Sequence, residues 1–239
     1  MSRWACVTGA DRGLGFELVR KLLEEEYSVF AGRLVSGGHR LEELKAASGQ
    51  RLHLVDMDIS DTLSVQNAAC FISETADHLD LLINNAAILG DIQATILDEL
   101  DFEEILKVYN VNALGTLRVT NALAGLLLKG DTRLVVDISS EAGSIGSCSR
   151  VGWFGYCMSK AAINMQAAII HNSLKELGGQ VMLVHPGWMK TYMRGVLDAE
   201  ATLQPGESAE KIMNLIADRE KYRGDKPVYI DVDGNRLDW

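Results

Sequence analysis

In the segment Tyr156-Cys157-Met158-Ser159-Lys160, a phenol and an ammonium stand four positions apart. On a helix that spacing puts both on one face, with Cβ atoms about 5–6 Å apart. A free tyrosine, with a pKa of about 10, is a poor acid or base at neutral pH. A neighbouring ammonium favours the phenolate, so the pair could trade a proton at about pH 7. The same spacing occurs on many solvent-facing helices, and a surface pair is the alternative reading. Upstream, Ser139-Ser140-Glu141-Ala142-Gly143 closes an apolar run, and the hydroxyl of Ser140 or Ser139 could hydrogen-bond a carbonyl oxygen there. Asn112 lies in a helix-period stretch, where a buried amide usually bonds to backbone.

A second set of residues suits a phosphate. Thr8-Gly9-Ala10-Asp11-Arg12-Gly13-Leu14-Gly15 joins the apolar run Trp4–Val7 to a stripe of Leu14, Leu18 and Leu22. Glycines let the chain turn tightly and bring backbone N–H groups to a pyrophosphate, while the helix N-terminus adds its positive dipole. The spacing is G-x-x-x-G-x-G, which is neither G-x-G-x-x-G nor a P-loop, and an ordinary turn is the plainer alternative. A site selective for NAD places a carboxylate on the ribose about 20 residues further on. Here that stretch reads Val29-Phe30-Ala31-Gly32-Arg33, with an arginine and no acid. Arg33 and Arg12 together suit a 2′-phosphate, which guanidinium groups bind in bidentate fashion, so NADP(H) is favoured over NAD(H). Either arginine taken alone could be a solvated surface charge.

Other chemistries are excluded. His39, His53, His78, His171 and His185 show no H-x-x-x-H spacing, so no metal site is expected. Asp56 and Asp58 fall on opposite sides of an extended strand and make a poor carboxylate pair. The net charge of −10 argues against a general nucleic-acid binder. Cys6, Cys70, Cys148 and Cys157 form no C-x-x-C pair and read as reduced thiols of a cytoplasmic protein. No signal peptide is evident, and no apolar run approaches the roughly 18 residues a membrane span needs.

The elements that must position these groups follow from hydrophobic period. Strands are expected at Trp4–Val7, Ser28–Ala31, Leu52–Val55, Leu79–Ile83, Leu134–Ile138, Val181–Val184 and Val228–Val232. Helical stretches near 41–47, 62–77, 98–128, 156–177 and 207–219 separate most of them. Seven strands with interleaved helices predict an α/β, doubly wound (Rossmann) parallel sheet flanked by helices. With no linker, charge block or repeat, residues 1–239 read as a single domain.

Taken in order, these motifs resemble the short-chain dehydrogenase/reductase family. The resemblance runs through the T-G-x-x-x-G-x-G loop at 8–15, Asp58-Ile59, Asn84-Asn85-Ala86-Ala87, Asn112, Ser140, Tyr156/Lys160, and Pro186-Gly187 with Thr191. The last residues, Asp231–Trp239, are similar to carbonyl reductases of the C-factor and sniffer type. The resemblance implies Tyr156 as general acid or base, and Lys160 as the residue that holds the nicotinamide ribose and lowers the tyrosine pKa. It implies Ser140 on the substrate oxygen and Asn112 supporting a water that relays protons toward Lys160. It assigns Gly9, Arg12, Gly13, Leu14 and Gly15 to the pyrophosphate and adenosine ribose, with Arg33 beside them. Asp58 and Ile59 would border the adenine, and Asn85 and Ala86 the adenosine side of the cleft. Pro186, Gly187, Met189 and Thr191 would bind the nicotinamide amide.

The activity so implied is NADP(H)-dependent transfer of hydride between nicotinamide and a carbonyl or secondary alcohol, in a homodimer or homotetramer. Alternatives are an NAD-linked alcohol dehydrogenase, or a nucleotide-binding signalling protein on the same scaffold. Two departures from the family stand out. Ala87 replaces a glycine, which matters only if φ is positive there. Ser140 and Tyr156 lie 16 positions apart rather than the family's usual thirteen or so, so 144–153 is expected to reshape the substrate mouth, with Trp153, Phe154 and Trp188 as candidate apolar lining.

Overall fold

The structure, a computed structural model, describes residues 2–34 and 39–239. Seven parallel strands form one sheet in the order β3-β2-β1-β4-β5-β6-β7. They are β1 (Trp4–Val7), β2 (Ser28–Arg33), β3 (Leu52–Asp56), β4 (Leu81–Asn84), β5 (Leu134–Ile138), β6 (Gln180–His185) and β7 (Val228–Asp231). Helices α1 (Gly13–Glu24), α2 (His39–Ser48), α3 (Thr62–Thr75), α4 (Phe102–Tyr109), α5 (Thr116–Leu127), α6 (Phe154–Leu174) and α7 (Pro205–Ala217) make the crossovers.

The strands are apolar along their length because both faces are covered, as parallel sheets require. In β5, Leu134, Val136 and Ile138 join the core under α1 and α7, while Val135 joins the core under α3, α5 and α6. By the same alternation Asp137 turns its carboxylate to the second face, where it meets Asn84. Chain order reverses between β1 and β4, and the carboxyl ends of these two strands and of β5 define one edge. Open α/β sheets bind ligands at that switch point.

The helix expected over 98–128 is not one regular helix. α4 and α5 are joined by a π-helical turn at Asn110–Gly115, whose extra residue rotates one helical face relative to the next. α4 packs on α6, whereas α5 packs on α3. Among the described residues no helix is long and apolar enough to cross a membrane, and all four cysteines are free.

Candidate active site

At the carboxyl end of β1 the loop is built around two glycines. Gly9 has φ +64°, and a Cβ there would lie 2.7 Å from Ala86 Cα. A Cβ on Gly15 would collide with the Gly9 carbonyl and lie 2.5 Å from Asn85 Nδ2. The loop is therefore pressed onto the end of β4, and side-chain hydrogen bonds fix it there. Asn85 Nδ2 donates to the Thr8 and Gly9 carbonyls at 2.9 and 3.0 Å, and Thr8 Oγ1 accepts from the Asn85 and Ala86 N–H groups. Asn85 thus shapes the loop with its amide, and Ala86 forms the loop's floor. Ala87 has no positive φ, so its methyl needs no glycine conformation.

Helix α1 begins with Arg12 extended and with no side-chain cap, and no acidic residue lies in its first turn. Free N–H groups at a helix start favour an anion. The glycine cradle, which any Cβ would fill, fits the pyrophosphate of a dinucleotide for the same reason. Gly13 contributes the first helical position, but the Leu14 side chain is buried in the core, leaving only its backbone at the loop.

The two arginines are not equivalent. Arg12 is exposed and free of ion pairs among the described residues. Arg33 is bound twice, with Nε donating to Asp56 at 2.7 Å and Nη1 to Glu42 at 2.6 Å. The missing acid at the end of β2 is thus supplied by β3, whose Asp56 pairs in register with Arg33. Asp58 spends its carboxylate within its own turn, accepting from the Ser60 N–H and hydroxyl at 2.9 and 2.7 Å. Ile59 is buried against Gly115 of the π-helical turn. Pro186 is buried, with its carbonyl accepting from Ser208 Oγ at 2.7 Å, and Gly187 takes φ +78°. Thr191 approaches the glycine loop, its methyl 3.7 Å from where a Gly13 Cβ would stand. Met189, in contrast, packs against the core and pairs with Leu203.

On the other side of the edge, β5 runs directly into a short 3₁₀ turn, Glu141–Gly143, capped by Ser140. The two serines separate here. Ser139 is consumed in the core, its hydroxyl donating to Asn164 Oδ1 at 2.7 Å. Ser140 acts on the Tyr156 hydroxyl, lowering its pKa, and its own O–H donates to Glu141 Oε2 at 2.5 Å. Burial pushes the Tyr156 hydroxyl above its ordinary pKa, and Ser140 and the charge of Arg150 oppose that rise. Lys160 is fully buried on the same helix face. Its Nζ lies 5.5 Å from the Tyr156 ring centre and donates to the Ile138 carbonyl at 2.7 Å. Burial pulls the ammonium down to about 8, and Asp137 opposes it. Asn112 is wholly buried in the π-helical turn, clamping Ile88 through both its N–H and its carbonyl at 2.8 Å and donating to Ser159 Oγ at 3.0 Å.

The sequence reading missed Glu141. Besides Ser140, its carboxylate meets Arg150 and lies 3.5 Å from His185 Nδ1. Burial raises its pKa, but the Ser140 bond, His185 and Arg150 together hold it below the ordinary value. Arg150 stacks over Trp153, whose ring stands edge-on to Tyr156 at 6.0 Å. Trp153 caps α6 in the left-handed region, φ 68°. Phe154 instead lines a small pocket together with Ile105 and Val108 of α4, and Trp188 is half-exposed with Nε1 donating to Asp198.

The fold recurs in known proteins. NADPH-bound carbonyl reductase from chicken fatty liver superposes with a TM-score of 0.88 at 30% identity, covering all of this chain and 94% of that one. Carbonyl reductase Sniffer of D. melanogaster gives 0.89 at 25% identity, with both chains fully covered. By sequence the chain is 33% identical to the C-signal protein of Myxococcus xanthus over 161 residues, spanning 67% of this chain and 93% of that protein. It is also 33% identical to human retinol dehydrogenase 5 over 201 residues, 83% of this chain and 60% of that longer protein. The pattern of the short chain dehydrogenase family matches residues 3–202, and the chain belongs to that family of oxidoreductases.

Proposed function

We propose that the protein is an NADP(H)-dependent oxidoreductase that interconverts a carbonyl and a secondary alcohol. The observation that carries this reading is Tyr156 on the face of α6 that also carries Lys160, whose Nζ lies 5.5 Å from the tyrosine ring, beside an uncapped α1 and its glycine cradle. A bound nicotinamide dinucleotide supplies or takes up the hydride. Gly9, Gly13, Gly15 and the first turn of α1 hold its pyrophosphate, and Thr191 and Gly187 close over that end. Tyr156 gives its proton to the carbonyl oxygen in reduction and takes it back in oxidation. Ser140 orients that oxygen, Lys160 supplies positive charge beneath the phenol, and Asn112 fixes the loop after β4 through Ile88.

Arg12 and Arg33 are the groups for a 2′-phosphate, and the NADPH named for the chicken enzyme agrees with that assignment. For this phosphate to reach Arg33 it must displace Asp56 or Glu42, which is also the observation favouring a second reading, NAD(H). Titrating the protein with NADPH and NADH by fluorescence, before and after Arg33→Asp, separates the two. Preference for NADPH that the variant loses supports the first reading, and equal or NADH-favoured binding replaces it with the second. A screen of aldehydes and ketones for NADPH oxidation then tests the chemistry. A signalling role, suggested by the similarity to C-signal, would survive Tyr156→Phe with its biological activity intact.

We assign the protein to a homodimer or homotetramer in the cytoplasm. Exposed Phe102 and Leu106 on α4 and Met158, Met165 and Ile169 on one side of α6 support the assembly, and light scattering behind size exclusion tests it. The free thiols suit a reducing compartment.

A further inference from the structure

We infer that Asn164 of α6 and Tyr229 of β7 are positioning residues for Ser140, clamping the turn that carries this serine against the helix that carries Tyr156 and Lys160. The consequence for the reaction rests on the functional reading above, whereas the clamp rests on geometry alone. Tyr156, Lys160 and Asn164 stand at four-residue steps, so their side chains share one side of α6. Asn164 is buried, and its amide reaches both flanks of the turn. Its Oδ1 accepts from Ser139 Oγ at 2.7 Å, and its Nδ2 donates to the Gly143 carbonyl at 3.2 Å. Ser140 lies between these two anchors. The turn is also pressed onto the helix, since a Cβ on Gly143 would stand 2.8 Å from the Lys160 carbonyl carbon.

Tyr229 holds the same turn from the sheet. Asp137, Leu183 and Tyr229 are register partners across β5, β6 and β7, and the Tyr229 ring lies in the core under α3, α5 and α6. From there its hydroxyl donates to the Ser140 carbonyl at 2.5 Å, an oxygen that also accepts from the Gly143 N–H at 2.9 Å. The Trp239 ring backs Tyr229 at 5.5 Å between centroids. Glu141 grips the Ser140 hydroxyl as well, but it belongs to the same turn and moves with it. Asn164 and Tyr229 belong to other elements, so they set where the turn sits against α6. A serine hydroxyl stands one bond beyond Cβ and follows its backbone, and any slip of the turn carries Ser140 Oγ with it relative to Tyr156. Buried hydrogen bonds of this kind are costly to leave half made, which keeps the turn in one place.

The test places Asn164→Ala and Tyr229→Phe in the full chain, each alone and each combined with Ser140→Ala. Native-state hydrogen exchange reads the clamp without any substrate. The Gly143 and Ser144 amides, bonded to the Ser140 and Glu141 carbonyls, should exchange about tenfold faster or more in each variant. Unchanged exchange overturns the inference for the residue replaced. In carbonyl reduction with the preferred nicotinamide cofactor, Asn164→Ala should lower kcat about 10- to 100-fold and Tyr229→Phe about three- to tenfold, with KM for the cofactor within about twofold. Neither should lower kcat further once Ser140→Ala is present, because both act through that serine. A merely structural role would lower kcat by the same factor with or without Ser140→Ala, and that result overturns the inference. If the unmodified protein reduces no carbonyl, the functional reading fails while hydrogen exchange still decides the clamp. Should Asn164→Ala not fold, Tyr229→Phe, which loses a single oxygen, carries both measurements.

Discussion

Between Thr8 and Gly15 the cleft is made of backbone, whereas between Asp137 and Lys160 it is made of side chains. At the glycine loop the useful groups are N–H donors, and the residues have been pared back to expose them. Gly9 and Gly15 have no room for a Cβ, and α1 starts without a cap. Two other helices are closed off: Asp61 caps α3 by accepting from Leu63 N–H, and Asp101 caps α4 by accepting from Glu104 N–H. At the end of β5 the opposite holds. Ser140, Tyr156, Lys160 and Asn112 all project functional atoms, and Ser140, Lys160 and Asn112 are each held by a named partner. A site for a large anion is shaped by what is left out, and a site for proton transfer by what is held in place.

If this contrast is right, the two ends break in different ways. Tyr156→Phe removes one oxygen from the side-chain end. It should lower kcat by about 10²–10⁴-fold while leaving Tm and dinucleotide affinity within error, as measured by steady-state kinetics and calorimetry. Gly15→Val attacks the backbone end by sterics. Its added atoms meet the Gly9 carbonyl and Asn85, so it should abolish dinucleotide binding and cost about 1–3 kcal/mol of stability in urea unfolding. Arg33→Asp leaves the loop untouched and acts only through charge. The ratio of NADPH to NADH affinity should fall about tenfold or more, which is about 1.4 kcal/mol, with kcat in the preferred cofactor little changed. Asp61→Ala removes a cap outside both regions and should cost about 1 kcal/mol of stability with kinetics unaltered. Equal sensitivity of kcat to Asp61→Ala and Tyr156→Phe would erase the distinction between cap and site.

Period and punctuation made much of this architecture legible. Leu134–Ile138 appears as expected, and all seven strands fall in the expected places, because parallel strands buried on both faces read as bounded apolar runs. β2 extends two residues further than expected, to Arg33, since Gly32 and Arg33 carry no hydrophobic signal yet pair with Val55 and Asp56. That register also explains why the acid beside Arg33 was invisible: it lies 23 residues away in sequence and becomes a neighbour only through strand pairing. The π-helical turn escaped notice because one inserted residue barely disturbs an apolar pattern read over thirty positions. Glu141 and Arg150 escaped for another reason. They are joined by a loop, where no periodicity governs which side chains meet. The choice between Ser139 and Ser140 needed the fold as well, because strand alternation turns the first toward Asn164 and the chain's bend into the 3₁₀ turn turns the second toward Tyr156.

The π-helical turn also sets a limit on how this chain can change length. Each residue of a helix advances the surface by about 100°, so removing one from Asn110–Gly115 would restore ordinary winding and swing everything downstream by that angle. The Leu123 and Leu127 side chains, now sealed under the sheet, would face away from it, and Asn112 would leave Ile88. A segment whose turn looks like an irregularity therefore keeps two adjoining helices in phase with two different neighbours, and single-residue deletions should be tolerated far better in 144–153 than here.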